Sequence, residues 1–163
     1  LGDVYKAAIT YWTKTLSKLI TIEFTKKLKN HNTINIFTGD YTNTACYDLE
    51  SKLIESGISG CTIHEKKNFS HGRFINYENQ KEKLSIYFKQ KETTKYEEEL
   101  LKYLDKQNTI IIESQYNHLL AEFDLLVASQ FIIYHLGKKL DIDASKPPYK
   151  EESLNLYFYK GKL

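Results

Sequence analysis

Apolar positions along the chain follow two alternating spacings. In some stretches they recur at steps of three and four residues, which predicts helices with one buried face. These stretches are 3–29, 45–55, 92–107 and 119–136. Short β-prone runs lie between them and predict strands at 33–38, 60–64, 83–89 and 109–113, with the segment 154–160 as an extended edge strand.

Strands that alternate with helices predict an α/β fold. Steps of roughly 20–25 residues from strand to strand favour a parallel sheet of about five strands with helices on both faces. The run Ile110-Ile111-Ile112 is continuously apolar, as expected for a strand buried on both faces. We expect a helix in residues 1–32 to pack on an α/β domain of residues 33–142, followed by a tail at 143–163.

Composition and charge narrow the class of protein. The 163 residues suffice for one domain, and the formal net charge of +2 is small, so we expect no nucleic-acid partner. Cys46 and Cys61 lie in apolar surroundings without metal-type spacing, which indicates two buried thiols in a reducing cytoplasm. No apolar run approaches the ~20 residues of a membrane span. Because the sequence contains no methionine, we expect it to be a piece of a longer protein.

A hydroxyl-rich turn follows the first predicted strand and contains Thr38, Gly39 and Thr42. Backbone N–H groups at a helix start favour anions, and threonine hydroxyls add donors, so these residues are candidates for substrate binding. Against this, Asp40 in the same turn would repel phosphate, and the Gly-rich spacing of a P-loop or dinucleotide fingerprint is missing. Phosphate binding by the turn and an ordinary capped turn are both open at this point.

Asp48, Lys52 and Glu55 are spaced i, i+4 and i+7, so they share one face of the predicted helix. An ordinary solvated acid–base stripe has the same spacing, and exposed pairs of this kind contribute only about 0.3–0.5 kcal/mol. The alternative is a carboxylate held beside a lysine at a strand-end cleft, where it could act as a general base.

His71 precedes Gly72 in the polar segment 66–73, which we expect to be a loop. Imidazole titrates near neutral pH, and a neighbouring glycine lets a ligand approach, so His71 is a candidate for proton transfer. A surface histidine without a function fits the same residues. The other loop and helix histidines show no paired ligand spacing, so we predict neither a metal site nor a cofactor.

These candidates occur together in a known family. The run DLESKLIE at 48–55, followed sixteen residues after Glu55 by His71-Gly72 within NFSHGR, resembles the sugar isomerase (SIS) domain. More narrowly, it resembles the second of two tandem SIS domains, as in the isomerase half of glutamine–fructose-6-phosphate aminotransferase and related phosphosugar isomerases. The helix from Leu119 is similar to the closing helix of that domain, so the resemblance spans residues 33–157.

The resemblance implies a doubly wound, three-layer sheet of flavodoxin type and a sugar-phosphate ligand. By position, Glu55 resembles the base that moves a proton between the first two sugar carbons, and His71 resembles the histidine that assists ring opening. Asp48 and Lys52 match the helix positions that hold and charge-balance the base. The resemblance also implies an N-terminal SIS domain in the same chain as partner, and a homodimer.

The sequence departs from the family pattern in two places. The catalytic lysine of the C-terminal tail has no clear equivalent, since Asn155 aligns there and Lys150 and Lys160 are displaced. The Ser/Thr-rich phosphate loop of the family belongs to the first domain of the tandem. We therefore expect the C-terminal SIS domain of a phosphosugar isomerase or deaminase-like protein, inactive alone. The alternatives are a non-catalytic sugar-phosphate-binding regulatory domain and a dimerising scaffold.

Overall fold

Four parallel strands form the centre of the computed structural model, which describes residues 2–31, 33–79, 83–146, 150–158 and 160. Neighbouring strands pair in parallel throughout, in the order β2-β1-β3-β4. Their bounds are β1 (Thr33–Thr38), β2 (Gly60–Glu65), β3 (Ser85–Lys89) and β4 (Thr109–Glu113). This order is that of a doubly wound flavodoxin-like sheet, so the predicted fold class is confirmed.

Helices connect the strands and cover both faces of the sheet. A π-helical turn, Phe69–Arg73, joins α4 to α5. The helices are α1 (Gly2–Leu19), α2 (Ile22–His31), α3 (Asn43–Glu55), α4 (Lys66–Asn68), α5 (Phe74–Glu78), α6 (Lys95–Tyr103), α7 (His118–Leu140) and α8 (Glu151–Tyr157).

The face of the sheet covered by α1, α2, α3 and α7 carries the larger core, and we call it the aliphatic face. Ile34, Ile36 and Ile86 project from the strands into it, and α7 packs against both α1 and α3. Trp12 of α1 is fully buried here, and its indole N–H donates to Asp124 of α7 at 2.8 Å. The alternation of side chains along each strand places the opposite set of residues on the other face.

The other face is covered by α4, α5, α6 and the π-helical turn, and we call it the aromatic face. Phe37 lies at its centre and contacts the rings of Phe69, Tyr77 and Tyr87. His64 stacks on Phe37, with ring centroids 4.9 Å apart, and its Nε2 lies 3.1 Å from Asn35 Oδ1. This second core is smaller than the first and includes the buried polar side chains of Asn35 and His64.

The predicted helix over 3–29 is two helices. The chain breaks at Ile20 and Thr21, and the Thr21 hydroxyl accepts a hydrogen bond from the Phe24 N–H at 3.1 Å. A threonine that caps a following helix favours such a break, because it satisfies an N–H that has no partner within the helix. The prediction of one continuous helix was wrong for this reason.

Two further segments differ from the sequence-based prediction. Residues 66–73, expected to form a loop, form α4 and the π-helical turn, because Phe69 is drawn into the aromatic core. The tail was expected to add an extended edge strand, but Glu151–Tyr157 is helix α8, whose first turn carries two acidic residues that favour a helix start. Within the described residues the sheet therefore has four strands instead of about five.

Helix α7 is, by length and composition alone, apolar enough to cross a membrane. Glu122 and Asp124 interrupt the apolar run of this helix, which is why the sequence did not predict a membrane span there. More than half of the apolar stretch is buried in the fold. A central core helix meets the same criteria, so the finding is weak evidence for a membrane.

Candidate functional site

The strand order creates a crevice at the carboxyl edge of the sheet. The connections from β1 and β3 leave in opposite directions, and open α/β sheets bind ligands at such a switch point. A cleft of about 500 Å³ lies there, on the side of the aromatic face. The residues that line it follow β1, β2 and β3: Gly39, Asp40, Glu65, Lys66, Lys67, Ser70, His71, Gln90, Thr94, Tyr96 and Glu97.

Lys66 is the most enclosed charged residue of this cleft, with a side chain only 5% exposed. Its Nζ donates to Glu97 Oε1 at 2.7 Å and to the Phe88 carbonyl at 2.7 Å, and it lies 4.5 Å from the centroid of the Tyr87 ring. Burial lowers the pKa of the Lys66 amine, and the hydrogen bond to Glu97 opposes this effect. Lys66 is thus a cation held by groups of the protein itself.

Glu97 lies in the first turn of α6 and closes a capping box with Thr94. Its Oε2 accepts the Thr94 N–H at 3.0 Å, while the Thr94 hydroxyl accepts the Glu97 N–H at 3.2 Å. Burial raises the pKa of Glu97, but hydrogen bonds from Lys66 and Thr94 outweigh it and hold the pKa below its usual range. Glu97 therefore faces Lys66 as a carboxylate at neutral pH.

The charges at the rim of the cleft are only loosely paired. Lys67 Nζ lies 3.6 Å from Asp40 Oδ2, and both side chains are more than 70% exposed. Such a pair contributes little, so either partner can turn towards a ligand. Glu65, the last residue of β2, is exposed and accepts a hydrogen bond from the Asn68 amide.

His71 reaches the cleft because the backbone is kinked in the π-helical turn. His71 itself leaves helical geometry, with φ −91° and ψ 38°, and Gly72 follows with φ 105°. A positive φ of this kind favours glycine, so Gly72 allows the chain to present His71 at the rim and then continue into α5. The imidazole is exposed and lines the cleft, and its role in proton transfer stays a prediction.

The predicted turn after β1 uses most of its polar groups internally. Thr38 and Thr42 are buried, and their hydroxyl oxygens are 2.9 Å apart. The Gly39 N–H donates to the Thr42 hydroxyl at 2.9 Å, and Thr38 donates to Asn43 Oδ1 at 3.0 Å. Of the three predicted residues, only Gly39 lines the cleft. The two hydroxyls stabilise the turn and do not line this cleft, and their role in substrate binding stays a prediction.

Asp48, Lys52 and Glu55 lie on α3, away from the cleft. The Asp48 carboxylate pairs with Lys52 and also accepts hydrogen bonds from Ser129 and Gln130 of α7. Asp48 therefore ties α3 to α7. Glu55 is exposed at the end of α3 and accepts a hydrogen bond from the Ser51 hydroxyl at 2.8 Å. Because α3 runs back from the carboxyl edge, Glu55 lies at the amino edge of the sheet, opposite His71.

The tail position Asn155 is exposed on α8 and does not line the cleft. In the part of the chain that the structure describes, no group of three or more His, Cys, Asp or Glu side chains could hold a metal ion.

Sequence reasoning missed the central pair of the cleft, Lys66 and Glu97, together with Tyr96, whose hydroxyl donates to the Lys66 carbonyl. Thirty-one residues separate the two charged partners, so no spacing rule relates them. One signal was present, because Thr94 followed three residues later by Glu97 has the capping-box pattern and marks the start of α6 at the carboxyl edge.

The sheet and its helices define a doubly wound α/β domain of flavodoxin type with a cleft at its carboxyl edge. No protein-family model matches the chain, and no curated protein matches it. Three solved structures share the fold over most of its length, at sequence identities of 18% or less. At such identities the likeness concerns the fold and not the activity.

A putative phosphosugar isomerase involved in capsule formation, from Bacteroides fragilis, has a TM-score of 0.64 at 10% identity, covering 93% of this chain and 94% of its own. A glucosamine-6-phosphate deaminase from Thermotoga maritima has a TM-score of 0.58 at 18% sequence identity, and the match covers 88% of this chain. The chain spans about half of that deaminase, 47% of its length. A putative sugar-phosphate isomerase from Listeria monocytogenes has a TM-score of 0.56 at 13% sequence identity. This match covers 84% of this chain and 81% of the isomerase.

Proposed function

We propose that this chain is a sugar-isomerase-type domain that binds a sugar phosphate in the carboxyl-edge cleft. The observation that supports this most is the position of the cleft at the switch point of the sheet, with Gly39 and His71 in its lining. The three structural neighbours are named as proteins of phosphosugar chemistry, which fits the same ligand class.

The lining of the cleft suits the two parts of such a ligand. Asp40 and Glu65 offer carboxylate oxygens that accept hydrogen bonds from sugar hydroxyls. Lys67 and His71 lie at the exposed rim and provide positive charge and N–H donors for a phosphate.

Titration calorimetry tests the binding directly, with fructose 6-phosphate and glucosamine 6-phosphate as probes and fructose as the unphosphorylated comparison. We expect Lys67→Gln to weaken the binding of the phosphorylated sugars about tenfold, since it removes one exposed cation from the rim. Lys106→Gln removes an exposed lysine of the α6–β4 turn, at the opposite edge, and should leave affinity unchanged. Equal effects of the two substitutions, or no binding to the wild type, would refute the proposal.

A second candidate function is catalysis of aldose–ketose exchange in an assembly. It is favoured by the exposure of both Glu55 and His71, at opposite edges of the sheet. Each could face a sugar bound by another sheet, contributed by an N-terminal SIS domain of the same chain or by a second copy in a homodimer. In this proposal Glu55 is the base, and Asp48 and Lys52 fix the helix that carries it.

Solvent exchange at the sugar distinguishes the catalytic proposal from a regulatory or scaffolding domain. In heavy water, an isomerase replaces the proton α to the carbonyl by deuterium, which proton NMR follows. Glu55→Gln in the full-length protein should abolish this exchange and leave binding intact, whereas Glu50→Gln on the same helix should not. Binding without exchange in the wild type supports the non-catalytic alternative, and no binding at all supports the scaffold.

A further inference from the structure

We propose that Glu97 is an internal anion that keeps the ligand's phosphate out of the inner part of the cleft. The sugar then enters first, and the phosphate stays at the rim beside Lys67. Glu97 is, in this view, a residue that determines specificity by setting the orientation of the ligand. The statement about orientation rests on the proposed function, whereas the exclusion of anions by Glu97 does not.

The inner part of the cleft has the features of an anion site. The start of α6 contributes Thr94 and Glu97 to its lining, and helix starts attract negative charge. Lys66 adds a buried ammonium beside the same helix start. A free phosphate would find there both a helix start and a buried cation.

Glu97 already occupies this position. One carboxylate oxygen accepts the Lys66 Nζ at 2.7 Å, and the other accepts the Thr94 N–H at 3.0 Å, with the Thr94 hydroxyl at 3.2 Å. The carboxylate thus satisfies the cation and the helix start together. A phosphate that entered would meet a like charge within contact distance, which is unfavourable in a partly buried site.

Lys66 is also closed off on its remaining sides. The Phe88 carbonyl and the Tyr87 ring contact the ammonium, and Tyr96 binds the Lys66 backbone carbonyl from α6. Lys67, 73% exposed, is a cation of the cleft that stays accessible, and the exposed His71 lies in the same lining. The phosphate of a ligand is therefore directed outwards.

The substitution Glu97→Gln tests this inference. Glutamine keeps the size and one oxygen acceptor but removes the negative charge, so that an anion approaching Lys66 no longer meets a like charge. We expect the affinity for inorganic phosphate, measured by calorimetry or phosphorus NMR, to rise about tenfold or more. Glu98→Gln is the matched control, because Glu98 is an exposed acid in the same first turn and should cause no such rise.

A double substitution identifies the cation responsible. If Lys66 is what binds phosphate in the Glu97→Gln variant, adding Lys66→Met should return the affinity to the wild-type value. A gain that persists in the double variant would show that Glu97 acts only through general charge, which would overturn the inference. No gain in a folded Glu97→Gln protein, checked by circular dichroism, would overturn it too.

A measurement on the wild type avoids any dependence on how the variants fold. With lysine side chains labelled with nitrogen-15, inorganic phosphate should shift the Lys67 ammonium signal and leave that of Lys66 unchanged. A shift at Lys66 that saturates with phosphate would contradict the inference.

If sugar phosphates fail to bind the wild type while Glu97→Gln gains phosphate affinity, the proposed function is wrong and the role of Glu97 stands. If sugar phosphates bind but Glu97→Gln gains no phosphate affinity, the proposed function stands and the role of Glu97 is wrong.

Discussion

The two faces of the sheet are built for different tasks. On the aliphatic face, Ile34, Ile36 and Ile86 meet helices whose buried residues are mostly apolar. Asp124 and Ser129 of α7 are among the exceptions. On the aromatic face, the same strands present Asn35, Phe37 and other polar or aromatic residues, with His64 on the neighbouring strand. The aliphatic face therefore buries mainly apolar surface, whereas the aromatic face also buries polar groups.

Polar atoms that lack a partner are concentrated on the second face. Among the buried side-chain atoms of the described residues, those without a hydrogen bond include several on this face: Asn35 Nδ2, His64 Nδ1, Ser85 Oγ, Tyr87 OH and Thr109 Oγ1. Each such group lowers stability, and groups of this kind call for a reason other than packing. Because the cleft lies at the end of this face, the difference fits a division in which the aliphatic face supplies most of the stability and the aromatic face carries the proposed ligand site.

The largest effect should follow a change on the aliphatic face. Trp12→Ala removes a fully buried indole and leaves the buried Asp124 carboxylate without one of its donors. We expect a loss of about 4 kcal/mol in the free energy of unfolding, measured by urea denaturation. Tyr5→Ala on the same helix changes a side chain that is 55% exposed and should cost less than about 1 kcal/mol. Similar losses of unfolding free energy for the two variants would contradict the view that burial on the aliphatic face supplies most of the stability.

The aromatic face should make stability depend on pH. Burial, helped by the charge of Arg73, lowers the pKa of His64 to about 4, below its ordinary value of 6.5. Between those values the unfolded chain takes up a proton and the folded chain does not, so stability falls as pH falls from 6.5 to 4. The loss is about 3 kcal/mol. His64→Gln should flatten this part of the pH profile of the free energy of unfolding, measured by urea denaturation at each pH.

The buried ion pair should contribute less, because its two charges are costly to desolvate. Lys66→Met leaves the Glu97 carboxylate without its cation but with its Thr94 bonds, so we expect a loss of about 2 kcal/mol, less than the roughly 3–5 kcal/mol of a fully unpaired buried charge. Lys67→Met breaks an exposed pair and should change stability little. Chemical denaturation compares the two variants, and a Lys66→Met protein more stable than the wild type would mean that desolvation outweighs pairing.

The smallest effect should come from the cap of α6. Thr94→Ala removes the hydroxyl that accepts the Glu97 N–H, and loss of an N-cap costs about 1 kcal/mol. Thr93→Ala, one position earlier, should leave the melting temperature unchanged. A fall in melting temperature for Thr94→Ala alone would show that the helix start at the cleft is stabilised by its own residues.

The sequence predicted the aliphatic face well and the aromatic face poorly. The spacing of apolar residues identifies Leu49 and Leu53 as buried, because side chains on one face of a helix recur about every 3.6 residues. The strands are predicted from their β-prone residues. Phe69 lies in a polar segment, so no period marked it as a core residue. The capping role of Thr21 and the helix at Glu151–Tyr157 were likewise decided by local hydrogen bonds and charge.

The candidate site was only partly accessible to such reasoning. His71 and Gly39 were found because a histidine beside glycine and a turn after a strand are local patterns. Lys66 and Glu97 come together only when β2 and β3 take their places on either side of β1, which depends on the topology. The predicted roles of Glu55, Asp48, Lys52 and Asn155 remain predictions, since they depend on partners outside a single sheet.

The length of the strands has a consequence for any turnover by this protein. A six-residue strand such as β1 is about 20 Å long, which separates the ends where Glu55 and His71 lie by far more than the width of one hexose. If both side chains act on sugars, as proposed, those of one molecule must therefore act on different sugars. If both take part in a reaction supported by a second copy, specific activity must fall on dilution, and mixing two inactive mutants, each lacking one of these groups, should restore part of it.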